Sequence, residues 1–414
     1  MTDAGQLVDR VKRDEAEIIG VCRDLVRIPS ENPPGDTTDV FAYAQDLLTR
    51  WKFPFTMVTP APGRQNLFAM WDTGRPGRHL ALNGHLDVFP AGSRDLWERD
   101  PYSGDVADGR LYGRGATDMK AGVTASLFTL RYLRDLEVGR AGRVTLSLVC
   151  DEETFGEHGA RYLLARHPEC LGDALLNGEP GTPEIVRIGD KGLVWASATF
   201  RTPGGHSAYP HLSESAIHRA MRFLDAARAI EKWRSPVPAP LGRHYAKIQP
   251  VTDRLLGKGA TAVARRYVVT LSVIKGGLKV NMIAPECTAE VDVRIPAGGR
   301  VRPVVAALKK AARAAGGELQ VVNTAEPSLN DWDADIFQIV RRNVQRFARR
   351  RPVFGVGLGC TDARLWRYEG VPAVVYGPVP HNMGRANEYV EIQDLLRTTL
   401  VHGISAAEFL TPPA

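Results

Sequence analysis

The residues of this chain able to do chemistry are carboxylates and one histidine, and they recur at one kind of place. Asn83-Gly84-His85-Leu86-Asp87 closes the apolar stretch HLALNG, Asp151-Glu152-Glu153 follows VTLSLVC, and Asn177-Gly178-Glu179-Pro180 follows an apolar ALL. A fourth cluster, Gly113-Arg114-Gly115-Ala116-Thr117-Asp118, is a glycine-rich loop that sets Asp118 at the start of a predicted helix. His85 and Asp87 are two residues apart, so on a strand their side chains point to the same side. A carboxylate so placed can fix the tautomer of a metal-bound imidazole. Two adjacent glutamates at a strand end repel each other, and a cation would relieve them; one can ligate while the other takes a proton from a bound water. Pro180 holds Glu179 toward extended backbone, and Asp118 has oxygens enough to bridge two ions. Each cluster alone also has a plain structural reading: a His–Asp hydrogen bond, a polar turn, an N-cap at Asp118. Together they offer one histidine and the carboxylates of Asp118, Glu152, Glu153 and Glu179, a set suited to zinc and also to manganese or cobalt. Two such ions would generate a hydroxide and polarise a carbonyl.

The elements that must position these groups are apolar strands alternating with helices. Strand candidates are HLALNGHLDV, GRVTLSLVC, ALLNGEP, PVFGVGLG and PAVVYG. Helices are expected over about 5–27, 38–50, 120–135, 159–166 and 335–350, from apolar residues at helical spacing. Continuous apolar strands separated by helices predict an α/β domain with a mostly parallel sheet covered on both faces. In such sheets ligands bind at the carboxyl ends of the strands, where all four clusters fall. The middle of the chain reads strand, helix, strand, strand, helix, strand, an α+β unit of split βαβ type. The expected division is therefore residues 1–187 and 327–414 as one domain, with 188–326 inserted as a second. The stretch 234–266 is long for a plain connection, so it is a functional loop or partly helical.

Composition narrows the function. The 414 residues suffice for two domains, and 44% hydrophobic with 24% charged residues is ordinary globular usage. No apolar run approaches the roughly 18–20 residues that span a bilayer, and the polar N-terminus lacks the apolar region of a secretory signal, so no membrane partner and a cytoplasmic location are expected. Five widely spaced cysteines without a C-x-x-C argue against a disulfide framework or a cysteine metal site. The net charge is +6, and the arginines of 341–351 alternate with Ile336, Phe337, Ile339, Val340 and Val344 at helical spacing. That makes them the wet face of an amphipathic helix rather than a nucleic-acid site.

Several stretches, in order along essentially the whole chain, resemble one family. GHLDVFP, LYGRGATDMKAG, DEETFGEHGA, NGEP, GGHSAYP and NEYV are similar to the metallopeptidase family of acetylornithine deacetylase, succinyl-diaminopimelate desuccinylase, aminoacylase and carboxypeptidase G. The resemblance implies two divalent metal ions, zinc before cobalt or manganese. It implies that His85 and Glu179 ligate the first ion and Glu153 the second, that Asp118 bridges them, and that Asp87 orients His85. Glu152 would be the general base. The inserted domain would be a lid through which a homodimer forms. His206 would help to stabilise the oxyanion, and Asn281 and Arg294 would contact substrate, the arginine through its fork to a carboxylate; a structural ion pair is the other use of Arg294.

One position departs from the pattern. The family's last metal-binding histidine stands four residues before the glutamate of NEYV, and here that residue is Gly384. His381, three residues earlier, is the expected replacement; loss of the second site, or a move to other chemistry, would also fit. The expected activity is hydrolysis of an amide bond in an N-acyl amino acid, a dipeptide or a related small substrate with a free carboxylate. The alternative is a non-hydrolytic relative that binds amino-acid derivatives.

Overall fold

A computed structural model describes residues 2–234 and 236–411 of the chain. The chain divides into two compact units. The first comprises the residues up to Ile188, Asn330–Gly355 and those from Thr361 on; the second comprises Gly189–Leu329 and Val356–Cys360.

In the first unit the strand His79–His85 is buried along its entire length. It pairs in parallel with Arg143–Val149 on one side and Ala174–Asn177 on the other, and Ala373–Val375 continues the parallel set. Antiparallel strands, Arg64–Asp72 and then Phe55–Ala61, complete one edge. Strands buried on both faces need no polar alternation, which is why these segments read as continuous apolar runs. Register positions the chemistry. His85 lies opposite Val149, and Asn83 lies opposite Asn177. The residues just beyond each strand, Asp87, Glu152 and Glu179, therefore emerge at one edge.

Behind this edge runs the helix Ala121–Asp135, whose residues from Ala121 to Leu130 are all buried. It packs against the long helix Ile392–Leu410 and the strand His79–His85. Its start meets the loop before Glu179 backbone to backbone. A Cβ on Gly122 would lie 2.1 Å from the Gly178 carbonyl oxygen, and one on Gly178 would lie 2.7 Å from the Gly122 Cα. Only glycine allows this approach, and it brings the Asp118 loop beside Glu179.

One expectation of detail changes and another holds. The expected helix over 5–27 is two helices, Asp3–Arg13 and Glu15–Arg27, broken at Asp14, which pairs with Arg10 at 2.5 Å. Leu7 and Val11 before the break and Ile18, Val21, Cys22 and Leu25 after it are all buried, so the apolar period runs through the interruption and hides it. The arginine-rich stretch forms the helix Asp335–Ala348, with Ile336, Phe337, Ile339, Val340 and Val344 buried and Arg341, Arg342 and Arg346 exposed. Among the described residues no helix is long and apolar enough to cross a membrane.

The second unit is a four-stranded antiparallel sheet in the order Val268–Gly276, Glu286–Ile295, Gly192–Arg201, Gly317–Ala325. The helices Ala216–Arg228 and Val301–Ala314 cover one face through Phe223, Val304 and Leu308, against Val194, Ala196, Ala198 and Phe200. This is the strand–helix–strand–strand–helix–strand order read from the sequence. The long stretch 234–266 is largely helical, as Ala239–Leu256 and Ala260–Arg265.

The glycine contact yields a test. Gly122→Ala forces a methyl into the Gly178 carbonyl, an overpacking that costs about 1–3 kcal/mol. The expected result is a lower unfolding midpoint together with weaker metal binding; unchanged values for both would refute the contact.

Candidate metal centre

The edge of the first unit gathers the predicted carboxylates around His85. Two groups of ligand atoms, His85–Glu152–Glu179 and His85–Asp118–Glu153, each lie within 4.8 Å of one another. His85 is 2% exposed. Its Nε2 stands 3.3 Å from Asp118 Oδ1 and 3.5 Å from Glu179 Oε1, yet has no hydrogen-bond partner. Glu152 Oε1 and Glu153 Oε1 are also buried without hydrogen bonds. Buried polar atoms are nearly always satisfied, because an orphan costs about 1–3 kcal/mol or more. Three orphans converging on one spot, one of them nitrogen and the others carboxylate oxygen, fit divalent metal.

The local sequence sets each side chain. Asp151 takes a left-handed φ of 71°, which aspartate tolerates, and turns the chain sharply after the strand Arg143–Val149. Asp87 is the hub of that turn: its Oδ1 accepts the Glu152 amide at 3.2 Å and its Oδ2 the Glu153 amide at 3.1 Å. Asn32 adds a donor to Oδ2 at 2.9 Å. The orientation of His85 falls to the backbone of the same residue. His85 Nδ1 is 2.8 Å from the Asp87 carbonyl oxygen, and the carboxylate is more distant at 3.6 Å. Nδ1 therefore carries a proton and donates it, so that in the neutral imidazole the lone pair lies on Nε2. Asp118 is not an N-cap. It lies three residues ahead of the helix Ala121–Asp135, with φ −114° and ψ 98°, and makes no capping bond.

Residues 81–404 match the family model described as Peptidase family M20/M25/M40. The chain belongs to that family. Among its curated M20 relatives is the succinyl-diaminopimelate desuccinylase of Rhodospirillum centenum, 29% identical over 398 residues, with 93% of this chain and 95% of that one covered. Solved structures of similar fold include an M20 family metallo-carboxypeptidase from Sulfolobus solfataricus, with a TM-score of 0.83, 17% identity and coverage of 95% of this chain and 99% of that one. Human carnosine dipeptidase 1 superposes with a TM-score of 0.82 at 16% identity, covering 99% of each chain.

Three residues singled out in the sequence lie in the second unit. His206 is exposed, and its Nδ1 accepts the Ala208 amide at 3.1 Å. Asn281 is exposed. Arg294 is half-buried and paired with Asp292 at 2.9 Å. In the first unit His381 joins neither ligand group; its ring stacks on Tyr389 at 4.5 Å between centroids and 7° between planes. Gly384 is exposed with a φ of 73°.

Two buried pairs of this M20 centre went unread in the sequence. Arg114, in the glycine-rich loop, meets Glu388 of NEYV at 2.5 Å, both within 2% of full burial. Glu388 also accepts the amides of Thr117 and Asp118 at 3.0 and 3.3 Å, so it shapes the loop that presents Asp118. Arg364 lies 3.9 Å from Glu152 and 3.4 Å from Asp362. The signal for the second pair was present, since Cys360-Thr361-Asp362-Ala363-Arg364 follows an apolar run as the other clusters do.

Burial dominates the electrostatics. It pushes the Glu152 and Glu153 carboxyls well above their usual range, against the pull of His85, and neighbouring carboxylates add to the push. Glu179 rises from 4.5 to about 7, by burial first and the charge of Asp118 second. Burial disfavours the imidazolium of His85, but the carboxylates of Asp118 and Glu179 beside it outweigh that and raise it well above 6.5. The metal-free cluster thus holds protons at neutral pH that the unfolded chain has lost. All these shifts are upward, so their contribution to stability is present at low pH and is lost as pH rises, for Glu179 through about 7.

Metal must displace those protons. Zinc added to metal-free protein in weak buffer near neutral pH is expected to acidify the solution, and to raise the unfolding temperature more at about pH 8 than at about pH 6. Binding without proton release would contradict the linkage. Separately, Arg114→Met strands a buried carboxylate and is expected to cost about 3–5 kcal/mol in chemical denaturation; a loss below about 1 kcal/mol would show that the pair is dispensable.

Proposed function

We propose that this protein hydrolyses the amide bond of small N-acyl amino acids or dipeptides bearing a free carboxylate, in a reaction dependent on divalent metal. The observation that carries this reading is the set of three buried ligand atoms without a hydrogen bond, on His85, Glu152 and Glu153, converging with Asp118 and Glu179. Membership of the M20/M25/M40 peptidases supports it, as does similarity over more than nine-tenths of the chain to a relative named as a desuccinylase. The non-hydrolytic alternative draws no support from these, and the buried carboxyl of Glu152 beside His85 supports an acid–base role for it.

His85, Asp118, Glu153 and Glu179 would hold the metal, zinc before cobalt or manganese. Bound there, divalent cations would lower the pKa of a water and polarise the scissile carbonyl. Glu152 takes the proton of the attacking water as its oxygen bonds to the carbonyl carbon. It returns that proton to the amine nitrogen as the C–N bond breaks, so one water is consumed and an acid and an amine leave. A carboxyl whose pKa is raised by burial suits a group that must both accept and give a proton near neutral pH. Asp87 holds the Glu152–Glu153 turn and, through its carbonyl, the donor face of His85.

His206 would meet the developing oxyanion. Its Nδ1 is committed as an acceptor, which leaves Nε2 to donate. Asn281 and Arg294 would take the substrate carboxylate, with Arg294 sharing its fork between substrate and Asp292. Assembly as a homodimer through the second unit is supported by its edge strand Val268–Gly276, which exposes Leu271 and Ile274 beside unpaired backbone. No nucleic acid or membrane partner is proposed, and the cytoplasm is the proposed location.

Glu152→Gln is nearly isosteric but cannot accept the proton. Assayed on N-succinyl and N-acetyl amino acids and dipeptides with added zinc, manganese or cobalt, it is expected to lower kcat about 10²–10⁴-fold with metal content unchanged. Full turnover in that variant would remove Glu152 from the reaction, and no turnover of any such amide by the wild type would remove the function.

A further inference from the structure

The two ligand groups share a single imidazole. His85 appears in both, and among the described residues no other histidine belongs to either. With Nδ1 committed to the Asp87 carbonyl at 2.8 Å, only Nε2 is free, and one lone pair binds one ion. Two ions in this centre would therefore have one nitrogen between them. Two other histidines of the first unit, His381 and His402, are engaged elsewhere. His381 stacks on Tyr389, and its carbonyl takes the Tyr389 amide at 3.4 Å. His402 is buried with Nε2 at 2.7 Å from the Tyr376 carbonyl oxygen. At Gly384 the φ of 73° strains any side chain, and a Cβ there would face Phe89 at 3.8 Å.

We infer that the centre is asymmetric: His85 and Glu179 build a tight nitrogen–oxygen site, while Asp118 and Glu153 build an oxygen-only site for a hard divalent cation such as Mn²⁺ or Mg²⁺. This rests on the metal-dependent reading above and deepens it. Burial decides which position takes the nitrogen. His85, Glu152 and Glu179 are all buried, whereas Asp118 and Glu153 are partly open to solvent. A site with two carboxylates and access to water suits ions that keep part of their hydration shell. Zinc prefers the site with imidazole. The partly open group is more than a pair of acids, because Glu153 Oε1 is a buried orphan and His85 Nε2, itself unpartnered, points at Asp118 from 3.3 Å.

Metal content, read without any assay of activity, tests this. Metal-free full-length protein is loaded with zinc, dialysed and subjected to elemental analysis. The zinc-loaded protein is then titrated with Mn²⁺ and followed by electron paramagnetic resonance. One zinc per chain should survive dialysis, and one Mn²⁺ should bind on the order of 100-fold more weakly, without coupling to a second manganese. Glu153→Gln should abolish the Mn²⁺ signal and keep the zinc; Glu179→Gln should lose the zinc. Two zinc ions retained per chain would overturn the asymmetry, and a fall to one in His381→Ala would name His381 as the missing ligand. Loss of zinc rather than Mn²⁺ in Glu153→Gln would overturn the assignment of the two positions. Failure of the wild type to bind either metal would instead overturn the metal-dependent function.

Discussion

Repulsion among buried carboxylates is the constraint on which the centre depends. Asp87, Asp118, Glu152, Glu153 and Glu179 converge with one imidazole at the edge of a sheet that excludes water from most of them. Left as anions they would be intolerable in a low-dielectric site, since desolvation alone costs several kcal/mol per ion. Protons settle the matter in the metal-free protein, which is why the glutamates and His85 all hold protons above their ordinary range. Metal settles it in a way that leaves a reactive carboxylate. The same burial that makes the cluster costly also raises the Glu152 carboxyl well above its usual range.

Around this core, much of the first unit is arranged to hold acidic groups still. Asp87 spends its carboxylate on the amides of Glu152 and Glu153 and its carbonyl on His85. Glu388 spends Oε2 on Arg114 and Oε1 on the amides of Thr117 and Asp118. These are outer-layer groups that aim the ligands, and metal sites lose affinity when such groups are removed. Gly122 and Gly178 work by absence: without Cβ atoms, the helix start and the Glu179 loop close to backbone contact.

The glycine at position 384 has a different consequence. In a family recognisable over most of the chain, the residue expected to supply a second imidazole supplies none, and the loop conformation there disfavours any side chain. The two groups of candidate ligand atoms consequently share one nitrogen among a surplus of oxygen.

The α/β class, the order of elements in the second unit and the polar clusters that gather around His85 were legible in the amino-acid sequence, whereas His381, read as a ligand, joins neither group. The reason is physical: parallel strands buried on both faces must be apolar throughout, so a carboxylate or histidine just beyond such a run stands out. Helical period likewise identified the arginine-rich stretch as an amphipathic surface. What sequence could not supply was anything that depends on residues far apart in the chain meeting. Arg114 with Glu388 and Arg364 with Glu152 are pairs separated by hundreds of residues; the place of 360–364 after an apolar run marks it as a cluster, but nothing local names the partner in either pair. The break at Asp14 escaped because both helices bury the same stripe. Whether His85 is held by the Asp87 carboxylate or by its carbonyl, and whether one imidazole serves two cation positions, are matters of a few tenths of an ångström to an ångström. Residue types and spacing determined which side chains could ligate a metal here, because the chemistry of each candidate ligand is local. Only the packed chain decided how the ligands are shared, because that follows from which buried atoms tertiary contacts leave without partners.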